Sequence, residues 1–224
     1  MSDIAGNLSY IKSQIPQSVK LIAVSKTRPA TDIQVAYNEG HRCFGENKVQ
    51  ELLNKKDLLP ADIEWHLIGH LQTNKVKYIV PFINMIQSVD TFKLLKIIDS
   101  EAWKISRVIN CLLQVHIAAE ETKFGFSMAE IKDMFSSVEY ANLKNISIRG
   151  VMGMATFTSD ENQVRKEFAF LRECFNNLKI NYFSNNPAFE EISMGMSGDF
   201  KTAIQEGSTI VRIGSIIFGA RNKN

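Results

Sequence analysis

The chain has 224 residues, 45% of them hydrophobic and 22% charged, with 26 basic and 24 acidic side chains. A chain of this length can bury a full core without disulfides or metals, which excludes disorder, collagen-like repeats and small stapled scaffolds. A net charge of +2 with no long run of one sign argues against a nucleic-acid or membrane-surface protein and toward a small-molecule ligand.

In chain order, the first ten residues lack a basic region followed by a long apolar stretch, so no secretory signal is read there, and a leading helix precedes Pro16. No apolar window nears the ~18 residues of a membrane span, and a cytoplasmic protein is the expectation. Short β-type runs then recur at 20–25, 41–45, 64–69, 85–90, 110–117, 148–154, 191–196 and 209–213. Helical patterns fall between them: after Pro29, then at 47–56, 73–80, 91–106, 127–141, 160–178 and 198–206. Thr31, Ser127 and Asp160 read as N-caps, and Asp199 adds a carboxylate to the first turn of its helix. Cys43, Cys111 and Cys174 are odd in number and widely spaced, so they read as packed thiols rather than a disulfide framework or a zinc site.

Strict alternation of strand and helix implies right-handed crossovers and a parallel sheet buried on both faces. Eight units fit a closed (β/α)8 barrel, with an open doubly wound sheet as the alternative. With no Pro/Gly/Ser-rich linker, residues 1–224 read as one domain.

Ligands of such barrels bind at the C-terminal ends of the strands. The first strand runs into Lys26, whose ammonium is out of place in an apolar run unless it faces the barrel mouth. Burial there would favour the neutral amine that forms a Schiff base with a carbonyl; the plainer reading is a solvated loop lysine. After the seventh strand, Ser197 and Gly198 precede a helix whose N–H groups favour an anion; after the eighth, Gly214 permits close backbone approach and Ser215 adds a hydroxyl. The plainer readings are a capping serine and a bend. Arg212, between Val211 and Ile213, should turn inward by strand alternation, for a ligand nitrogen, a phosphate or a structural ion pair. Amine, anion cradle and inward guanidinium together suit pyridoxal 5′-phosphate.

Other constellations are weaker. His66 and His70 are four strand residues apart, about 13 Å, too far to share a zinc ion without a bend. The pairs Glu120–Glu121 and Glu190–Glu191 are adjacent and point to opposite sides of an extended chain, which suits no glycosidase acid/base pair. The glycines match neither a Walker A loop nor a dinucleotide fingerprint.

Seven blocks in order carry a resemblance: AVSKTRP (23–29), FGENKVQE (44–51), WHLIGHLQTNK (65–75), QSVD (87–90), ETKFGF (121–126), GVMGMATF (150–157) and the stretch 191–221 with its GMSGDF and VRIGS segments. Over essentially its whole length the chain resembles the pyridoxal phosphate homeostasis protein family, of the YggS/PROSC type. The resemblance implies a (β/α)8 TIM barrel similar to the N-terminal domain of alanine racemases, with the cofactor held as an aldimine on Lys26. It implies Asn47 beside the cofactor, Ser197, Gly214 and Ser215 on the phosphate, Arg212 at the pyridine nitrogen and Lys123 near the entrance. His116 departs from the asparagine frequent at its position in such proteins.

Racemases similar to this barrel add a β domain that closes the site, whereas only a short tail follows the last strand here. The expectation is therefore a cofactor carrier or buffer without robust catalysis, acting as a monomer, with pyridoxal phosphate-dependent apoenzymes as recipients. A low-activity racemase or lyase on the same lysine is the alternative.

Overall fold

The structure, a computed structural model, describes residues 3–119 and 124–220. Eight parallel strands close into a barrel in sequence order: β1 Lys20–Val24, β2 Cys43–Glu46, β3 Glu64–Leu67, β4 Met85–Val89, β5 Ile109–Gln114, β6 Ile146–Met152, β7 Glu191–Ser193 and β8 Ile210–Ile213. Closure comes from β1 on β8, with Leu21 opposite Val211 and Ile22 opposite Arg212.

The leading helix α1 (Ile4–Gln14) precedes β1, and the crossovers carry α2 (Ala30–Asn38), α3 (Val49–Lys56), α4 (Val76–Ile79) and α5 (Phe92–Trp103). The second half carries α6 (Met128–Ser136), α7 (Val138–Ala141), α8 (Glu161–Tyr182), α9 (Phe200–Gln205) and α10 (Ser215–Phe218). Among the described residues, no helix is long and apolar enough to cross a membrane.

Strand periodicity sorts side chains into two layers. Ala23, Phe44, Trp65, Leu67, Ile192, Val211 and Ile213 join the apolar sleeve between strands and helices. Ile22, Met85, Leu112, Met152 and Ile210 form a smaller cluster inside the barrel. All these side chains are buried.

Several boundaries differ from the sequence expectation, each for a local reason. Thr31 is not the N-cap of α2: Pro29 takes that place at φ −69°, a value its ring imposes, and the helix starts at Ala30. The expected helix over 127–141 is two helices, because Ser137 leaves helical geometry and its Oγ accepts from the Tyr140 N–H, capping α7. Ser127 and Asp160 do cap their helices, Ser127 in a capping box with Glu130. The β7 strand stops at Ser193 because Gly195 turns the chain at φ +93°, where an added Cβ would lie 2.5 Å from Ala203 Cβ.

Candidate functional site

The C-terminal strand ends surround a cavity of about 640 Å³. Its walls include Lys26, Asn47, Ser197, Arg212, Gly214 and Ser215, so six residues drawn from four separate stretches of sequence converge on one space. Val24, Met154, Ile216 and Phe218 supply apolar surface.

Lys26 stands two residues beyond β1, half-buried, rather than in the strand itself. It follows Ile22 and Val24 on the alternation that faces the barrel axis. The Arg28 N–H donates to the Ser25 carbonyl at 3.0 Å, making Ser25–Arg28 a tight turn with Thr27 in left-handed geometry at φ +65°. Asn47 follows β2 on the same alternation.

Ser197 is not a helix cap. Its Oγ accepts from the Gly214 N–H at 3.3 Å and ties the loop after β7 to the loop after β8. Asp199 occupies the N-cap position of α9 without capping it, and its Oδ1 accepts from the Met196 N–H at 2.5 Å instead. The N–H groups of Ser215 and Ile216 begin α10 and have no intrahelical acceptor there. A Cβ at Gly198 would meet no atom within 4 Å, which leaves this backbone bare; at Gly214 it would approach the Val24 carbonyl to 3.0 Å.

Arg212 points inward, as alternation requires, since its neighbours Val211 and Ile213 belong to the outer sleeve. It is buried, and its guanidinium donates through Nη1 to Ser193 Oγ at 2.6 Å and through Nη2 to the Gly153 carbonyl at 2.9 Å. The chain of bonds continues: Ser193 Oγ donates to Gln87 Oε1 at 2.7 Å, and Gln87 Nε2 donates to His66 Nδ1 at 2.9 Å. Burial lowers the Arg212 pKa to about 10, against the attraction of Asp199, so it stays cationic at neutral pH. The carboxyl of Asp199 is itself raised, chiefly by burial.

This chain through β3, β4, β7 and β8 was missed in the sequence. Its signal was available: His66, Gln87, Ser193 and Arg212 each sit on the inward alternation of an apolar strand, where an unpaired polar group would be costly. His66 Nδ1 is taken by Gln87, and His70 turns to pair with Asp90 at 2.7 Å and to stack on Phe124. Half-buried His116 follows β5, with its N–H donating to the Phe126 carbonyl at 3.0 Å. Lys123 lies outside the described residues, as do Glu120 and Glu121. Cys111 and Cys174 are buried free thiols, and half-buried Cys43 donates to Glu64 at 3.2 Å.

The buried histidines set a pH dependence. Burial pushes His66 down to about 3, helped by Lys20, and His41 down to about 4. Both bind protons more weakly folded than unfolded, where the ordinary value is near 6.5. Their contribution to stability is therefore complete above about pH 6.5 and is lost progressively as pH falls toward the folded values. Replacing His66 by Gln is expected to flatten the pH slope of unfolding free energy by up to about 1.4 kcal/mol per pH unit between about pH 6 and 4. Urea titrations of both proteins across that range measure it. The comparison cancels Glu46 and Asp199, whose raised carboxyls act in the opposite sense. An unchanged slope contradicts a neutral buried His66.

The chain is a closed βα barrel whose mouth gathers an amine, a buried guanidinium and two serine hydroxyls on glycine-containing loops, and the family model for the alanine racemase N-terminal domain matches residues 1–222. Pyridoxal phosphate homeostasis proteins of Aquifex aeolicus and Schizosaccharomyces pombe are 42% and 37% identical to it, covering 90% and 99% of this chain and 87% and 94% of theirs. The chain belongs to the pyridoxal phosphate homeostasis protein family. PipY of Synechococcus elongatus, solved with PLP bound, is 35% identical with a TM-score of 0.86 over 97% of this chain and 100% of that one. An alanine racemase of Clostridium difficile, 14% identical, matches with a TM-score of 0.77 over 99% of this chain and 57% of its own, a likeness of fold alone.

Proposed function

We propose that this chain binds pyridoxal 5′-phosphate at the barrel mouth, holds it covalently on Lys26, and serves as a carrier or buffer that yields it to pyridoxal phosphate-dependent apoenzymes without robust amino-acid chemistry. The observation that carries the reading is the convergence of Lys26, Asn47, Ser197, Arg212, Gly214 and Ser215 on one cavity of about 640 Å³. That volume lies in the usual range for small-molecule sites. The donor set fits the group: hydroxyls and backbone N–H groups for a phosphate, an amine for an aldehyde, and a cation for an aromatic nitrogen.

When bound, the group supplies an electrophilic aldehyde and an electron-withdrawing ring. Ser197, Gly214 and Ser215 would hold the phosphate, and Asn47 would lie beside the ring. Lys26 Nζ would be the nucleophile, in a cavity whose apolar wall includes Val24, Met154 and Phe218. Arg212 would face the ring nitrogen, and a fixed positive charge there disfavours a proton on that nitrogen. An unprotonated ring withdraws electrons less strongly, which supports storage over turnover.

The same reading takes the chain as one barrel domain, working as a monomer in the cytoplasm. The barrel closes on strands from both ends of the sequence, and three unpaired cysteines suit a reducing compartment.

Borohydride reduction of the protein incubated with pyridoxal 5′-phosphate, followed by peptide mass mapping, tests the site. A pyridoxyl mass on the peptide carrying Lys26 is expected. No adduct, or one on another lysine, overturns the assignment. Rapid saturable exchange of amino-acid α-protons in deuterium oxide would replace the carrier reading with the racemase or lyase reading.

A further inference from the structure

Behind the turn that carries Lys26 lies a second polar cluster, on the opposite side of the sheet from the cavity. Ser25 and Glu46 fall on the outward alternation of β1 and β2, toward α3, as Lys26 and Asn47 fall on the inward one. Ser25 Oγ donates to Glu46 Oε1 at 2.6 Å. Lys55, from α3, donates to that same oxygen at 2.8 Å and to the Ser25 carbonyl at 3.0 Å. Glu51, one helical turn earlier, lies 3.5 Å from Lys55 Nζ, and its Oε2 accepts from the Thr27 N–H at 2.8 Å.

The ion pair is desolvated, with the side chain of Glu46 0% and that of Lys55 10% exposed. Buried pairs of this kind add little net stability over apolar packing, so this one is better read as fixing a specific geometry than as a source of stability. Here the geometry is unfavourable by itself: a β-branched residue in the left-handed region resists that backbone. The residues on either side of Lys26 are thus held by charged groups from α3, and these groups do not line the cavity. On the far side of the turn, Arg28 anchors through Nη2 to the Gly219 and Ala220 carbonyls at 2.6 and 2.7 Å.

Resting on the functional reading above, we infer that Glu46, Glu51 and Lys55 are positioning residues for the Lys26 amine: they lock the Ser25–Arg28 turn so that Nζ meets an aldehyde in the cavity. Condensation of that amine with an aldehyde forms a C=N bond and releases the carbonyl oxygen as water, carrying both amine protons once the amine is neutral. A lysine on a relaxed turn would meet the aldehyde in only part of its population, and apparent affinity falls by that fraction.

The test compares two ligands that share the ring and phosphate. Pyridoxal 5′-phosphate has the aldehyde, and 4-deoxypyridoxine 5′-phosphate lacks it. In Glu51→Ala, apparent affinity for the aldehyde ligand is expected to fall about tenfold while that for the deoxy ligand stays within about twofold. Adding Thr27→Gly, which adopts the left-handed turn without strain, is expected to restore most of the loss. Glu46→Gln follows the same pattern if it folds; Glu51→Ala decides the matter regardless, because Glu51 is 26% exposed and its removal strands no buried charge. Equal losses for both ligands, no loss, or no rescue by Thr27→Gly overturns the positioning role. A wild-type protein that takes up the deoxy ligand but forms no adduct at Lys26 overturns the functional reading, and this inference with it.

Discussion

Lys26→Ala is expected to reduce the borohydride-stable pyridoxyl adduct to background while the protein keeps its fold. The turn at Lys26 is fixed by main-chain and neighbouring groups: the Ser25 carbonyl, the Thr27 N–H and the guanidinium of Arg28. An alanine fits the second position of such a turn, and the side chain removed is only half-buried. The cost to stability is expected to be about 1 kcal/mol, the usual size for a point substitution. Lys26→Arg is the companion, because it keeps a cation at the mouth but offers no amine to an aldehyde. Both variants should still take up 4-deoxypyridoxine 5′-phosphate through Ser197, Gly214 and Ser215. Near-ultraviolet circular dichroism, ligand titration and peptide mapping on the same samples separate the outcomes. A full-strength adduct in Lys26→Ala moves the covalent site elsewhere, and loss of the deoxy ligand as well makes Lys26 a structural residue.

The barrel was legible in the sequence because period-two runs separated by longer helical patterns leave few topologies for a buried parallel sheet. Alternation went further and placed Arg212 inside, since Val211 and Ile213 had to reach the sleeve. What stayed hidden was whatever depends on pairing between distant strands. Ser193 and Gln87 are unremarkable alone, and their meaning comes from meeting across the barrel at 2.7 Å. Glu46 reads as one acid in a mixed segment until Lys55 is folded against it. Element ends were also blurred, for a physical reason: side chains such as that of Ser137 compete with the helix for its own backbone groups, and the outcome depends on packing. Ser197 shows the same limit, because a serine before a helix admits both an anion-site and a capping reading and only the folded chain shows it bridging to Gly214.

Arg212→Leu is expected to cost about 2–4 kcal/mol of stability, since it removes donors from two buried acceptors while filling part of the space. The Gly153 carbonyl and Ser193 Oγ would each lose the partner they have in the barrel interior. Ser193→Ala attacks the same chain one link further in. It leaves Arg212 Nη1 without its acceptor and Gln87 Oε1 without its donor, for an expected loss of about 1–3 kcal/mol. Because each single change already breaks the shared bond, the double variant should lose less than the sum, with a coupling of about 1 kcal/mol or more. Chemical denaturation of the four proteins closes that cycle. Ligand titration adds the functional half: Ser193→Ala leaves the cation in place but loosens it, so affinity for pyridoxal 5′-phosphate should fall less than in Arg212→Leu. Additive losses within about 0.5 kcal/mol would mean that the bonds from His66 to Arg212 are independent contacts. A subadditive cycle with graded affinities would mean instead that the barrel interior serves as the mount for the guanidinium at its mouth.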